Sequence, residues 1–234
     1  MLYWESDCEA GPLIQTGGSA TNVVILRNNN VIKTSSFSYA GSSSCYCNSM
    51  TNPSNGATLG VPLSAFMDTD GIMIEFWVKK IIGDTYPSML WVGLGQNFNT
   101  RDRNFYVLRY IGLKNASILG LDLCGNHDLI NSNTDWTTTP EEWHKVTYFY
   151  DNLNKFGYVY LDGNLKHSHY QLKPWKTVNN EPTVAVELFS AFHNSGYPND
   201  NGIEAYIDDI KIHIFPTTLS SIAFTNSSFD YTLF

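Results

Sequence analysis

Helical periodicity is nearly absent from this chain. What recurs instead is a short run of aromatic and β-branched residues, bounded each time by Asn, Asp, Gly, Pro or Ser. Such runs suit the pleated, half-buried surface of a sheet, and the punctuation between them suits turns. They are "NVVILRN" (22–28), "SFSYAG" (36–41), "GIMIEFWVKKI" (71–81), "SMLWVGLG" (88–95), "NFYVLRYIGL" (104–113), "SILGLDLC" (117–124), "EWHKVTYFYD" (142–151), "FGYVYLDGNLKHSH" (156–169), "TVAVELFSAF" (183–192) and "IEAYIDDIKIHIF" (203–215). Asp162-Gly163 falls between two alternating runs and predicts a tight hairpin. The pattern predicts an all-β fold of two antiparallel sheets packed face to face.

A single large sandwich accommodates 234 residues and buries a full core. No internal repeat and no Pro-rich or Gly/Ser linker divides the chain. Residues 1–216 are expected to form the sandwich. The segment 217–234, "TTLSSIAFTNSSFDYTLF", is Ser/Thr-rich with spaced apolar residues. It is expected to add a last strand or a tail that docks on an assembly partner.

Charge narrows the partners. The formal net charge is −8, and no Lys/Arg cluster exceeds "VKK" and "RDR". A nucleic-acid binder needs a basic face to neutralise phosphates, so nucleic acid is excluded as a partner, and an anionic membrane surface is disfavoured for the same reason. No run of eighteen apolar residues supplies a membrane-spanning helix, so membrane insertion is not expected. Charged residues are only 15% of the chain, against abundant Tyr, Asn, Ser and Thr, which suits an extracellular, cell-surface or virion-surface protein. The opening "MLYWESDCEAG" has neither the basic nor the apolar region of a signal peptide. That leaves a mature or excised segment, or release by lysis.

Four cysteines occur, Cys8, Cys45, Cys47 and Cys124. "CYC" puts Cys45 and Cys47 on one face of a strand, and the spacing is wrong for zinc. The leading reading is free buried thiols; the alternative is one or two disulfides, joining Cys8 to Cys45 or Cys47.

Three stretches together resemble laminin-G-like, concanavalin A-like lectin jelly rolls. "IMIEFWVKK" (72–80) is similar to their "tIEfWvk" strand. "EEWHKVTYFYDNLNKFGYVYLDGNLKHS" is similar to their paired strands "W-H-h-V…Y-D…l-Y-v-D-G", with Trp143, His144, Val146, Tyr150, Asp151, Tyr160, Asp162 and Gly163 at the matching places. "IEAYIDDIKIH" resembles their closing "I-D-D-v-r-I" strand, which is also similar to that of MAM-type adhesion domains and carbohydrate-binding modules. The likeness covers roughly residues 1–215 and implies a two-sheet jelly roll. Trp77 and Trp143 sit in alternating runs and read as core. His144 reads as a satisfied or surface histidine.

Asp208 and Asp209 need an explanation inside a strand, where Asp is disfavoured. Alternation places Ile207, Asp209 and Lys211 on one face, and Tyr206, Asp208, Ile210 and Ile212 on the other. Asp208 then shares an apolar face and requires either hydrogen-bond donors or a hard cation. The opening "YWESD" resembles the "F-E" start of the related modules, in which an early Glu and the late Asp hold a structural Ca²⁺. The resemblance implies Glu5 and Asp209 as calcium ligands, with Asp7 a further candidate.

The resemblance also raises the question of catalysis. The "E-x-D-x-x-E" strand of the glucanase relatives is missing, because Glu75 and Glu187 stand alone and Glu204, Asp208 and Asp209 are misspaced. No G-x-S-x-G, phosphate loop, H-E-x-x-H or dinucleotide fingerprint occurs. The expectation is a non-catalytic recognition domain that binds a glycan. Sugars are held by aromatic rings and by Asn, Asp and backbone hydrogen bonds. Turn-rich stretches of that composition supply the candidates Trp136, Trp175, His193, Tyr197 and Asp200. The alternative is an assembly or adhesion module held to a surface protein by protein contacts; a polysaccharide-active enzyme without a local motif comes third.

Overall fold

The structure is a computed structural model that describes residues 1–29, 31–48, 56–62, 69–83, 90–95, 110–114, 118–122, 136–137, 142–151, 153–154, 156–170, 183–191 and 203–216. Its strands are β1 (Leu2–Ser6), β2 (Val24–Asn29), β3 (Val31–Thr34), β4 (Ser44–Asn48), β5 (Gly56–Pro62), β6 (Thr69–Gly83), β7 (Leu90–Gly95), β8 (Tyr110–Lys114), β9 (Ile118–Asp122), β10 (Trp136–Thr137), β11 (Trp143–Asp151), β12 (Phe156–Leu161), β13 (Asn164–Tyr170), β14 (Thr183–Ala191) and β15 (Ile203–Pro216). No helix occurs among the described residues.

Two antiparallel sheets form the sandwich expected from the sequence. The eight-stranded sheet runs β13-β12-β11-β6-β15-β4-β3, with β1 also on β15, and the seven-stranded sheet runs β10-β9-β8-β7-β14-β5-β2. Alternation along β6 works as predicted. Ile72, Ile74, Phe76 and Val78 enter the main core with Leu59 and Val61 of the opposite sheet. The intervening Met73, Glu75, Trp77 and Lys79 face outward from the eight-stranded sheet. Asp162-Gly163 forms the β12–β13 hairpin, with both residues at positive φ (50° and 77°) and Leu161 opposite Asn164.

The run "SFSYAG" is not a strand. Residues 35–43 form an irregular loop between β3 and β4. Its composition misleads because Phe37 and Tyr39 serve the outer face of the sheet rather than a ladder.

β15 has an unusual edge. Along one side it pairs with β6 throughout, from Ile203 to Pro216. Along the other it pairs first with β4, through Glu204–Ile207, and then with β1, through Ile210–His213. The aspartate pair lies at the handover. Asp208 is opposite Trp77 and Lys211 is opposite Glu75, so β15 spends one more residue than β6 between these pairs. This is a β-bulge, and Asp209 takes the left-handed conformation within it (φ 48°), which Asp tolerates better than most residues.

The bulge corrects the alternation expected for this strand. Ile207 before it and Ile210, Ile212 and Ile214 after it all enter the same core. Asp208 therefore does not share the face of Ile210 and Ile212. It lies on the outer face, fully buried beneath the 35–43 loop.

The seam between β1 and β4 is covalently closed. Cys8, just beyond β1, is bonded to Cys45 of β4, with Cα atoms 5.6 Å apart. Free thiols at these two positions are thus overturned, while Cys47 is buried and takes no part in the disulfide. Both β4 cysteines face the core, as their spacing requires. Cys124 and the segment 217–234 lie outside the described residues.

Candidate functional site

The outer face of the eight-stranded sheet carries the chemistry. Trp143 is opposite Lys79, and Lys145 is opposite Trp77. Lys79 is in turn opposite Tyr206, and Trp77 opposite Asp208. The Asp208 carboxylate accepts the backbone N–H groups of Tyr39 (2.8 Å) and Ala40 (3.1 Å) through one oxygen, and that of Asp209 (2.8 Å) through the other. A buried carboxylate is tolerated because backbone donors replace its water.

That anchor seats Tyr39. Its ring stacks on Trp77 with centroids 3.7 Å apart and planes 14° from parallel, while Trp143 meets it edge-on at 6.0 Å. Two residues earlier, Phe37 packs edge-on against Tyr206 at 4.9 Å. The Lys79 ammonium lies 4.4 Å from the Phe37 ring centre. Tyr39 is 44% exposed and Phe37 42% exposed. The result is an aromatic platform open to solvent. Trp77 and Trp143, expected in the core, are instead half-buried on the outer face as its base and flank.

A second carboxylate, Glu9, supports the same loop. Its carboxylate accepts Ser43 N–H at 2.8 Å and the Ser42 hydroxyl at 2.8 Å, and also accepts Ser42 N–H. These donors hold the Glu9 carboxyl below the usual range.

One row below the platform lies a charged belt. Glu75 is buried, with Lys145 Nζ 3.1 Å and His213 Nε2 3.5 Å from its oxygens. Burial pushes the Glu75 carboxyl up, but the hydrogen bond from His213 and the charges of Lys145 and His213 outweigh it and hold it at about 2. A depressed carboxylate stabilises the fold above its unfolded value of 4.5, and that contribution disappears as pH falls toward about 2. The loss amounts to about 3 kcal/mol. Urea titrations from neutral to acid pH should show Glu75→Gln, already weaker at neutral pH, converging on the wild type through this window. Curves that stay parallel would show that Glu75 does not drive this part of acid unfolding.

The proposed calcium ligands meet a different cation. Lys211 Nζ lies 2.8 Å from Asp209 Oδ1 and 3.4 Å from Glu5 Oε1, with Glu5 and Lys211 paired across β1 and β15. The sequence reading did bring Glu5 and Asp209 together, but their shared counter-ion is an ammonium from the same strand. Burial lowers the Lys211 value, and the hydrogen bond to Asp209 with the charges of Asp209, Glu5 and Glu75 overcomes this and raises it. Asp7 stays apart, because its Oδ1 accepts Glu9 N–H at 2.9 Å. Among the described residues, no group of three or more His, Cys, Asp or Glu converges as a metal site. Calcium takes six to eight oxygens, so an ion at this place would have to displace Lys211 and draw on further oxygens.

His144 is satisfied, as expected, with Nδ1 2.8 Å from Asp162 Oδ2 at the hairpin. Trp136 begins β10, the edge strand of the seven-stranded sheet, opposite Leu119. Trp175, His193, Tyr197 and Asp200 lie outside the described residues. Tyr39, Phe37 and Lys79 were missed by sequence reasoning. The signal for Phe37 and Tyr39 was "SFSYAG", whose alternate aromatics also fit a strand, and Lys79 lay within the "GIMIEFWVKKI" run.

No family profile matches the chain, and no curated protein matches it by sequence. Solved structures do. The binding domain of botulinum neurotoxin serotype G is similar with a TM-score of 0.55 and 17% identity, over 92% of this chain and 48% of that one. This chain therefore spans about half of that structure. Domain 4 of the extracellular GH43 arabinanase of Geobacillus stearothermophilus, in complex with arabinotriose, is similar with a TM-score of 0.56 and 14% identity, over 92% of each chain. A carbohydrate esterase of the Shiga toxin-encoding bacteriophage phi24B is similar with a TM-score of 0.59 and 12% identity, over 92% of this chain and 99% of that one. At these identities the likeness carries the fold alone: this chain is an antiparallel two-sheet sandwich of the jelly-roll kind.

Proposed function

We propose that the chain is a non-catalytic carbohydrate-recognition domain acting at an extracellular, cell or virion surface. The observation that carries this reading is the exposed platform of Tyr39 stacked on Trp77, with Trp143 beside it. Flat rings facing solvent suit the apolar faces of a pyranose, and the neighbouring polar side chains supply orientation. The neighbours of like fold support it, since one is a complex with arabinotriose and another is a toxin binding domain. An esterase among them keeps catalysis as a competing outcome, to be read as turnover.

A glycan array on the purified chain tests the reading, run in calcium and again in chelator. Binding to one class of glycan is expected, and Tyr39→Ala or Trp77→Ala should weaken it on the order of tenfold. Retained binding in both variants with loss in Trp136→Ala or Trp175→Ala would move the site to one of these tryptophans. A signal present only in calcium would mean that the ion displaces Lys211 from Glu5 and Asp209. A blank array on folded protein would sink the reading.

The assembly alternative has its own support. Val24 and Ile25 on β2 and Ile32 on β3 are 46%, 47% and 51% exposed. Among the described residues these strands are the outermost of their two sheets, where an open edge with apolar side chains suits a protein partner.

A further inference from the structure

Resting on that carbohydrate reading, we propose that the platform selects sugars bearing an anionic substituent, with Lys79 as the selecting residue. Among the described side chains, Lys79, Lys145 and Lys211 stand on this face, and they are not equivalent. Lys145 is paired with Glu75 at 3.1 Å, and Lys211 with Asp209 at 2.8 Å. The contact of the Lys79 ammonium, among the described residues, is with the Phe37 ring at 4.4 Å. Among the described residues, no carboxylate pairs with it.

Position makes that charge useful. Lys79 is opposite Trp143 across the strand pair, and two residues from Trp77 along the same face of β6. Both tryptophans belong to the platform on which Tyr39 lies. A pyranose stacked there brings its equatorial substituents to the rim, within reach of a flexible four-carbon ammonium stem. A carboxylate or sulfate on the ring gains a charge-assisted hydrogen bond that a hydroxymethyl group does not. The Phe37 ring orients the ammonium without neutralising it, since the cation–π attraction leaves the formal charge in place.

The rest of the chain limits the length of the ligand. With a net charge of −8, it repels a dense polyanion. A single lysine at the platform suits a sugar with a single or sparse charge. The shared chemistry is an anionic group on a pyranose, with uronate and sulfate as its two sources.

The test uses three matched oligosaccharides of one backbone: neutral, uronate-bearing and sulfated. Affinities are measured by calorimetry for the whole chain and for Lys79→Gln and Lys79→Arg, each checked for an unchanged melting temperature. The wild type is expected to favour at least one acidic form over the neutral one about tenfold. Lys79→Gln should reduce that ratio to near one, and Lys79→Arg should keep it. The acidic advantage should also shrink as salt rises. Whichever acidic form retains the advantage identifies the source of the charge. Equal affinities for neutral and acidic forms in the wild type would overturn the proposal and leave carbohydrate recognition standing. A ratio that survives Lys79→Gln would overturn it as well. Failure to bind any of the three, by folded protein with a blank array, would overturn the carbohydrate reading itself.

Discussion

Replacing both Cys8 and Cys45 with serine should cost about 4 kcal/mol of folding stability, the chain-entropy value for a loop of this length. The bond joins positions 37 residues apart and lies wholly in the core. The bond also ties together the two strands that flank the place where β15 passes from β4 to β1. The double variant avoids an unpaired thiol next to Cys47. In the native chain Cys47 does not compete for the bond, since burial pushes its thiol up to about 12. Guanidinium unfolding of wild type and variant measures the difference. A variant that melts at the wild-type midpoint would show that packing alone closes the seam.

Asp208→Ala is the second large effect. It leaves the backbone N–H groups of Tyr39, Ala40 and Asp209 without their acceptor. Each stranded donor costs about 1–3 kcal/mol while it stays buried. The loop escapes part of that penalty by lifting into water, so the net loss should be about 3 kcal/mol. Lifting the loop also removes Tyr39 from Trp77, so ligand binding should fall with stability. Hydrogen exchange at Tyr39 and Ala40 separates the two effects: both amides should lose protection in Asp208→Ala and keep some in Asp208→Asn, which retains an acceptor oxygen. Unchanged protection in the alanine variant would show that other contacts hold the loop.

Periodicity made the architecture legible. The alternation of Ile72, Ile74, Phe76 and Val78 survives intact in the core, and Asp162-Gly163 supplies the positive φ values that its hairpin needs. Alternation failed where a single inserted residue resets it. Nothing in "YIDDIKI" marks the bulge except the paired aspartates, and these read equally well as metal ligands. It failed again at Trp77 and Trp143, because an apolar residue in a strand is equally at home in the core or under a surface loop. Which of the two applies depends on the carboxylate of Asp208 catching a loop 168 residues away from it in sequence, at Ala40. The Lys211 counter-ion was within sight, since it stands two places after Asp209.

The place of β15 also governs how this chain reaches its native state. It fills the gap between β6 on one side and β4 and β1 on the other, and it is the latest in sequence of the described strands. Even Met1 waits for it, exchanging backbone hydrogen bonds with Ile214 across a separation of 213 residues. Until residues 203–216 emerge during synthesis, the ladder edges of β1, β4 and β6 that they will cover stay open. Contacts of such long range make folding slow, and open edges invite pairing with other chains during the delay. Production of this protein should therefore be limited by the lifetime of the incomplete sheet rather than by the stability of the finished one.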